Sequence, residues 1–166
     1  ILIQLNGSIS SNKNWEMVNE KNWNEGLSIN LSAPFFISQM LFKKMKKRGG
    51  KIIFTSTSSA NKGGGINSIS YGIAKAGLMA LTKILAKEGG KHKIYVNCIA
   101  PGFILTRLHT KKLKKTNNQI KNRKKLNVLN EYGSPSEITN LIKYLISDNT
   151  KFITGEIIRV DGGDWL

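Results

Sequence analysis

Two stretches set what this chain can fold into: "GGKIIFTS" (49–56) and "IYVNCIAPG" (94–102). Each is a near-continuous apolar run bounded by Gly, Ser or Pro, the pattern of a strand covered on both faces. Between them a helical pattern runs over 71–88, apolar at 74, 78, 81, 85 and at 73, 77, 80, 84, and Gly89-Gly90 ends it. Two adjacent stripes need cover on two sides, one from the chain's own sheet and one from a second subunit. Strands separated by so long a helix pair in parallel, since a tight turn joins only antiparallel neighbours.

The remaining segments extend the same plan. "ILIQL" (1–5) reads as a strand ending at the Asn6-Gly7 turn, and "GEIIRVDGG" (155–163) as the last strand. Residues 27–47 read as a long helix, apolar at Leu27, Leu31, Phe35, Ile37, Met40, Leu41 and Met45, with Pro34 bending it locally. The polar stretch 8–25 turns helical around "WEMVNEKNWNEGL", with Trp15 and Trp23 anchoring it on the core. "SPSEI" (134–138) starts a helix to about Ser147, with Ser134 as N-cap, Pro135 in the first turn and Glu137 placed for a capping box. "NKGGG" (61–65) is a flexible loop, and 103–130 is basic, weakly periodic loop with some helix. The expected fold is one α/β domain over 1–166, a parallel sheet with helices on both faces.

Composition narrows the function classes. At 166 residues, 40% hydrophobic and 22% charged, the chain has the make-up of a soluble globular domain. Runs such as "IIF" and "APFFI" are too short to cross a bilayer, and no leader pattern opens the chain. A single cysteine, Cys98, forms no internal disulfide, so a cytoplasmic setting is expected. The net charge of +16 would raise nucleic-acid binding. Yet the runs "KKMKKR" (43–48), "KKLKK" and "NRKK" (111–125) carry no interleaved aromatics for base stacking. They read as solvated surface, or as attraction for an acidic ligand, and neither nucleic acid nor membrane is an expected partner.

The chemistry gathers around "YGIAK". Tyr71 and Lys75 are four apart, so a helix presents them on one face. An ammonium beside a phenol favours the phenolate and lowers its pKa from about 10, turning it toward acid/base work. Alone this pair is a weak signal. Upstream, however, a buried strand ends in the hydroxyl cluster "TSTSSA" (55–60), and downstream the next strand ends in "VNCIAPGFILT". Parallel strands deliver both to one carboxyl-end crevice.

"INL" with Asn30, the Ser/Thr cluster, "YGIAK", "VNCIAPGFILT", "SPSEI", "LISD" and "ITGEIIRVDGG" stand in a familiar order and spacing. The combination resembles the classical short-chain dehydrogenase/reductases over essentially the whole chain, and among them the 3-oxoacyl-carrier-protein reductase-like members. That resemblance implies a Rossmann-like sheet, an NAD or NADP cofactor, and interconversion of an alcohol and a ketone. By the same resemblance Tyr71 is the acid/base, and Lys75 lowers its pKa and holds the nicotinamide ribose. Asn30 orders a water for the proton relay, and Pro101, Gly102, Ile104 and Thr106 line the nicotinamide. The catalytic hydroxyl is assigned to Ser58, with Thr57 close behind, because two family intervals disagree by one residue. Counting back thirteen from Tyr71 reaches Ser58, which keeps the common residue type, whereas counting seven from Gly50 reaches Thr57.

The family's first strand, its TGxxxGxG turn and its NAD-or-NADP selector have no match among these residues. Position 1 corresponds to roughly the fourth strand, and in "QLNG" (4–7) Gly7 alone stays in register with the family's next cofactor-contacting segment. These 166 residues are therefore expected to hold a nicotinamide pocket without a diphosphate anchor, and to bind NAD(P) weakly by themselves. The alternative is an inactive remnant, or a subunit completed by a second chain. The resemblance also implies a homo-oligomer built on helices 27–47 and 71–88. The substrate is a small alcohol or ketone, and the lysines at 111, 112, 114, 115, 121, 124 and 125 are placed to attract a carrier- or phosphate-linked one. His92 and His109 read as surface residues, Cys98 as a small buried apolar one, Asn97 as structural, and Asp161 as fixing the last turn.

Overall fold

The computed structural model describes residues 1–106 and 116–164. Four strands, β1 (Leu2–Gln4), β2 (Gly50–Thr55), β3 (Ile94–Pro101) and β4 (Ile157–Val160), pair in parallel in the order β1-β2-β3-β4. The registers Leu2↔Ile52, Ile52↔Val96 and Cys98↔Ile157 fix the alternation of side chains across the sheet. One face carries Ile52, Phe54, Val96 and Cys98, packed with Leu78 and Leu81 of α3 (Ile69–Gly89) and Phe42 of α2 (Ala33–Met45). The other face carries Ile53 and Ile99 against Ile142 and Leu145 of α5 (Pro135–Ile146). Both faces of β2 and β3 are thus buried, as their unbroken apolar runs require. Each such side chain stabilises by about 1.5–3 kcal/mol.

Helix boundaries follow local chemistry. Ser134 and Glu137 close the expected capping box at the start of α5. At the other end of α5 the buried Lys51 ammonium donates to the carbonyl oxygens of Leu145 and Ser147 and to Thr150 Oγ1, a cation at a helix C-terminus.

The segment read as one helix over 27–47 is instead α1 (Glu20–Leu27), a π-turn at Ser28–Ser32, and α2. In that turn the Ala33 N–H reaches back to Ser28 O. Pro34 supplies the reason, since it has no N–H to give the carbonyl of Asn30 four residues earlier. The inward face of α2 is Pro34, Ser38 and Phe42, with Gln4 Nε2 donating to Pro34 O and Ser38 Oγ. Phe35, Ile37 and Met40, among the apolar positions of that segment, face outward.

Two further expectations change. Trp15 is 65% exposed and anchors nothing. Segment 8–25 is tied down by polar contacts instead, Ser10 Oγ to Asn22 O and Ser8 to Asn30. The stretch Ile69–His92 is long and apolar enough to cross a membrane by length and composition, which the reading of shorter runs missed. In the fold half of it is buried inside the protein, on the sheet. A helix α4 (Asn117–Lys124) occupies part of the basic 103–130 segment, opened by a capping box of Thr116 and Gln119. His109 and the lysines at 111, 112, 114 and 115 lie outside the described residues.

Candidate active site

The carboxyl ends of the strands open onto one cavity of about 540 Å³. The end of β1 contributes Asn6 and Gly7, and β2 runs on into Thr55–Ser59. The end of β3 leads to Pro101, Gly102, Ile104 and Thr106, while α3 adds Tyr71 and Lys75. Among the sequence-derived site residues only Asn30 does not line it.

Close backbone contacts set these walls. A Cβ at Gly102 would lie 2.6 Å from Asp161 Cα, so only glycine lets the end of β3 approach the last turn. There Gly102 N donates to Val160 O. Ile104 N donates to Gly102 O, and Leu105 N and Gly133 N bind Gly133 O and Phe103 O, which holds the wall without outside help. At the head of α3 a Cβ on Gly72 would meet Gly63 O at 2.9 Å, so the turn after the hydroxyl cluster presses directly on the helix that carries Tyr71.

Lys75 is 1% exposed, and its Nζ donates to Asn6 O at 2.5 Å and Thr55 O at 2.7 Å. The same ammonium stands 5.7 Å from the centre of the Tyr71 ring. Ser56 Oγ donates to Lys75 O and Ser56 N to Ile99 O, tying β2, β3 and α3 together just behind the pair. Neither the Ser56 tether nor the two carbonyls on Lys75 was read from the sequence. Ser56 stood within the hydroxyl cluster, but only register shows which hydroxyl faces the helix.

Burial governs the electrostatics. It raises the Tyr71 pKa above its ordinary 10.0 and lowers that of Lys75 to about 8, with the Cys98 thiol acting weakly against the latter. The expectation that Lys75 lowers Tyr71 is therefore not met in this geometry. Its ammonium sits over the ring face and spends its hydrogen bonds on carbonyls. Desolvation of both groups then outweighs their mutual effect.

Asn30 is fully buried in the π-turn. Its Oδ1 accepts from Ser8 N, and its Nδ2 donates to Ser8 O and Gly26 O. The side chain is thus occupied in pinning the 6–10 segment beside the cavity, while its main-chain carbonyl has no N–H at Pro34 to accept from.

The two candidate hydroxyls differ in setting. Thr57 is the last extended residue after β2, half-buried, its Oγ1 paired with Ser59 Oγ at 3.1 Å and reaching Pro101 O at 3.5 Å. Ser58 opens the following 3₁₀ turn and is 2% exposed. The structural readings of Asn97 and Asp161 fit. Asn97 bonds Ile153 O and Glu156 N, and Asp161 Oδ1 accepts from Gly163 N. Cys98 is a buried free thiol.

Residues 1–164 match the family model described as enoyl-(acyl carrier protein) reductase. Among known proteins, the chain is 36% identical over 160 residues to the 3-oxoacyl-[acyl-carrier-protein] reductase FabG of Aquifex aeolicus, covering 95% of this chain and 62% of that protein. It is 35% identical to the 2-dehydro-3-deoxy-D-gluconate 5-dehydrogenase of Dickeya dadantii, covering 89% of this chain and 58% of that protein. It thus spans about three-fifths of the length of these relatives. Among solved structures, 4-hydroxyisoleucine dehydrogenase complexed with NADH superposes with a TM-score of 0.90 at 30% identity, covering 98% of this chain and 68% of that one. The parallel order of the sheet, its two covered faces and this superposition make the fold Rossmann-like. Family model, relatives and fold agree: the chain belongs to the short-chain dehydrogenase/reductase family.

Proposed function

We propose that this chain forms the catalytic end of an NAD(P)-dependent oxidoreductase that interconverts an alcohol and a ketone. The observation that carries the reading is the convergence of Tyr71, Lys75 and the Thr57–Ser59 hydroxyls on one cavity walled by Pro101–Thr106. The cavity fits a nicotinamide. A glycine (Gly7) stands 3.8 Å by its virtual Cβ from Lys75 Nζ, so a larger residue there would fill the space beside the ammonium. Gly102 keeps the opposite wall thin. Pro101, Gly102, Ile104 and Thr106 would flank the nicotinamide, and Lys75 would hold its ribose. When bound, that group supplies or accepts the hydride.

The chain's own residues handle the proton and the developing charge. The Tyr71 hydroxyl gives a proton to the substrate oxygen in reduction and takes it back in oxidation. A hydroxyl at the end of β2 donates to the same oxygen as charge builds on it. Thr57 fits that role better than Ser58, because it is more open and contacts Pro101 O on the facing wall. Asn30 acts through the 6–10 segment, fixing the Asn6 carbonyl that receives Lys75.

The partner is a small carbonyl or hydroxyl compound, carrier- or phosphate-linked in keeping with the carrier-protein reductases it resembles. A second copy covers the outward apolar faces of α2 and α3. The whole chain acts as a single domain. A second reading, in which the site works only with a further strand beside β1, is favoured by Ile1, Ile3 and Leu5, exposed at 69%, 39% and 61% along that edge.

The test is reduction of 3-oxoacyl thioesters and simple ketones at millimolar NADH or NADPH, a concentration chosen because no diphosphate turn is matched here. Tyr71→Phe is expected to lower turnover by about a thousandfold with an unchanged circular dichroism spectrum. Turnover within about tenfold of the unsubstituted chain would reject the assignment.

A further inference from the structure

We propose that Arg123 is an anion-binding residue of this cavity, so that the ligand carries a carboxylate or phosphate where it meets α4. The inference deepens the oxidoreductase reading and rests on it for the meaning of the cavity. Among the described residues, two cationic side chains line the cavity, Lys75 and Arg123, and no Asp or Glu does. Two of the three Lys75 N–H groups already go to the carbonyls of Asn6 and Thr55, and the third is assigned to the cofactor ribose. Arg123, half-buried, has its guanidinium carbon 5.6 Å from the centre of the Phe103 ring, another cavity wall, and no ion pair with a described residue.

No acidic residue adjoins it along the chain. α4 contains no acidic residue, and neither does the segment 107–115 that leads into it. The carboxylates of Glu131, Glu137 and Asp161 line a separate cavity of about 70 Å³ that shares Phe103 and Ile104 as a wall. Two of them are engaged locally, Glu137 with Ser134 N and Asp161 with Gly163 N.

Stacking on an aromatic face orders the planar guanidinium while leaving its donors free, and a carboxylate or phosphate matches that fork in a bidentate way. An uncharged ligand would leave the guanidinium without an ionic partner among the described residues. The same chemistry can come from a substrate carboxylate or from the diphosphate of the cofactor.

The experiment follows the Arg123 side-chain Nε–Hε resonance in the 166-residue protein during separate titrations. The probes are 3-hydroxybutyrate, inorganic diphosphate and the neutral 2-butanol. The resonance is expected to move with at least one anion and not with 2-butanol. Movement with 3-hydroxybutyrate assigns Arg123 to the substrate, and movement with diphosphate to the cofactor. Arg123→Gln should weaken that anion by about fivefold or more and Arg123→Lys by less, with circular dichroism confirming the fold. The inference is overturned if neither anion moves the resonance, or if Arg123→Gln binds within twofold of the unsubstituted chain. Turnover that survives Tyr71→Phe, with Arg123 behaving as stated, would instead remove the acid/base assignment and leave the anion site standing.

Discussion

Lys75 Nζ stands 5.7 Å from the centre of the Tyr71 ring, yet it gives its hydrogen bonds to the carbonyl oxygens of Asn6 and Thr55. The ammonium is therefore anchored by the ends of two strands and presented to the face of the phenol rather than to its oxygen. Burial lowers Lys75 to about 8 and raises Tyr71 from 10.0. Of the two, Lys75 titrates nearer neutrality.

That value has a testable sign. The folded pKa of about 8 lies below the 10.5 of an ordinary lysine, so between these values the unfolded chain binds more protons. The cost of burying the ammonium is full below about 8 and fades as the pH rises toward 10.5. Tyr71 and Cys98, the latter raised to about 11, keep their protons when folded and pull the other way in alkali. Subtracting the urea stability of Lys75→Gln isolates the lysine. From about pH 7.5 to about pH 9.5 the unsubstituted chain should gain on the variant. A side-chain ¹⁵N titration of Lys75 should give a midpoint near 8, and a midpoint at the ordinary lysine value would contradict the burial argument.

The two hydroxyls make a second prediction. Thr57→Val should lower kcat by about a hundredfold, as removal of an oxyanion donor does elsewhere, with little loss of stability. Ser58→Ala, at a 2%-exposed position, should act on stability more than on kcat. The reverse pattern in the pair of kinetic and urea measurements would return the role to Ser58.

How legible these features were depended on their range. The strands β2 and β3 were plain because a strand buried on both faces must be apolar throughout, and α5 was plain because Ser134 and Glu137 cap it locally. The direction of α2 was not. Its inward residues include Pro34 and Ser38, chosen by hydrogen bonds to Gln4 thirty or more positions away, and its most apolar residues face outward. Within the site, the Tyr71–Lys75 spacing and the hydroxyl cluster were visible. What Lys75 binds was not, because backbone carbonyls carry no sequence signal. Arg123 escaped notice for a related reason, lying in a polar segment without periodicity.

The outward residues of α2 and α3 predict association. Phe36, Met40, Ile73 and Ile84 are exposed at 61%, 56%, 44% and 57%, beside a groove of about 340 Å³ floored by Gly77 and Ala80. A second copy would bury these side chains at about 25 cal/mol per Å² of apolar surface. Sedimentation at tens of micromolar should show a dimer or larger species, and Phe36→Lys with Ile84→Glu should shift it to monomer. A monodisperse monomer before substitution would contradict the assignment of this face.

Hydride and proton exchange are assigned to the cavity holding Tyr71 and Lys75. Deuterium transfer tests this assignment most directly. The chain is incubated with a ketone and millimolar NADH or NADPH deuterated at nicotinamide C4, and the alcohol is examined by mass spectrometry. Label is expected on the carbinol carbon with the unsubstituted chain, and its loss in Tyr71→Phe under the same conditions. Absence of transferred label with the unsubstituted chain, or equal transfer by Tyr71→Phe, would contradict it.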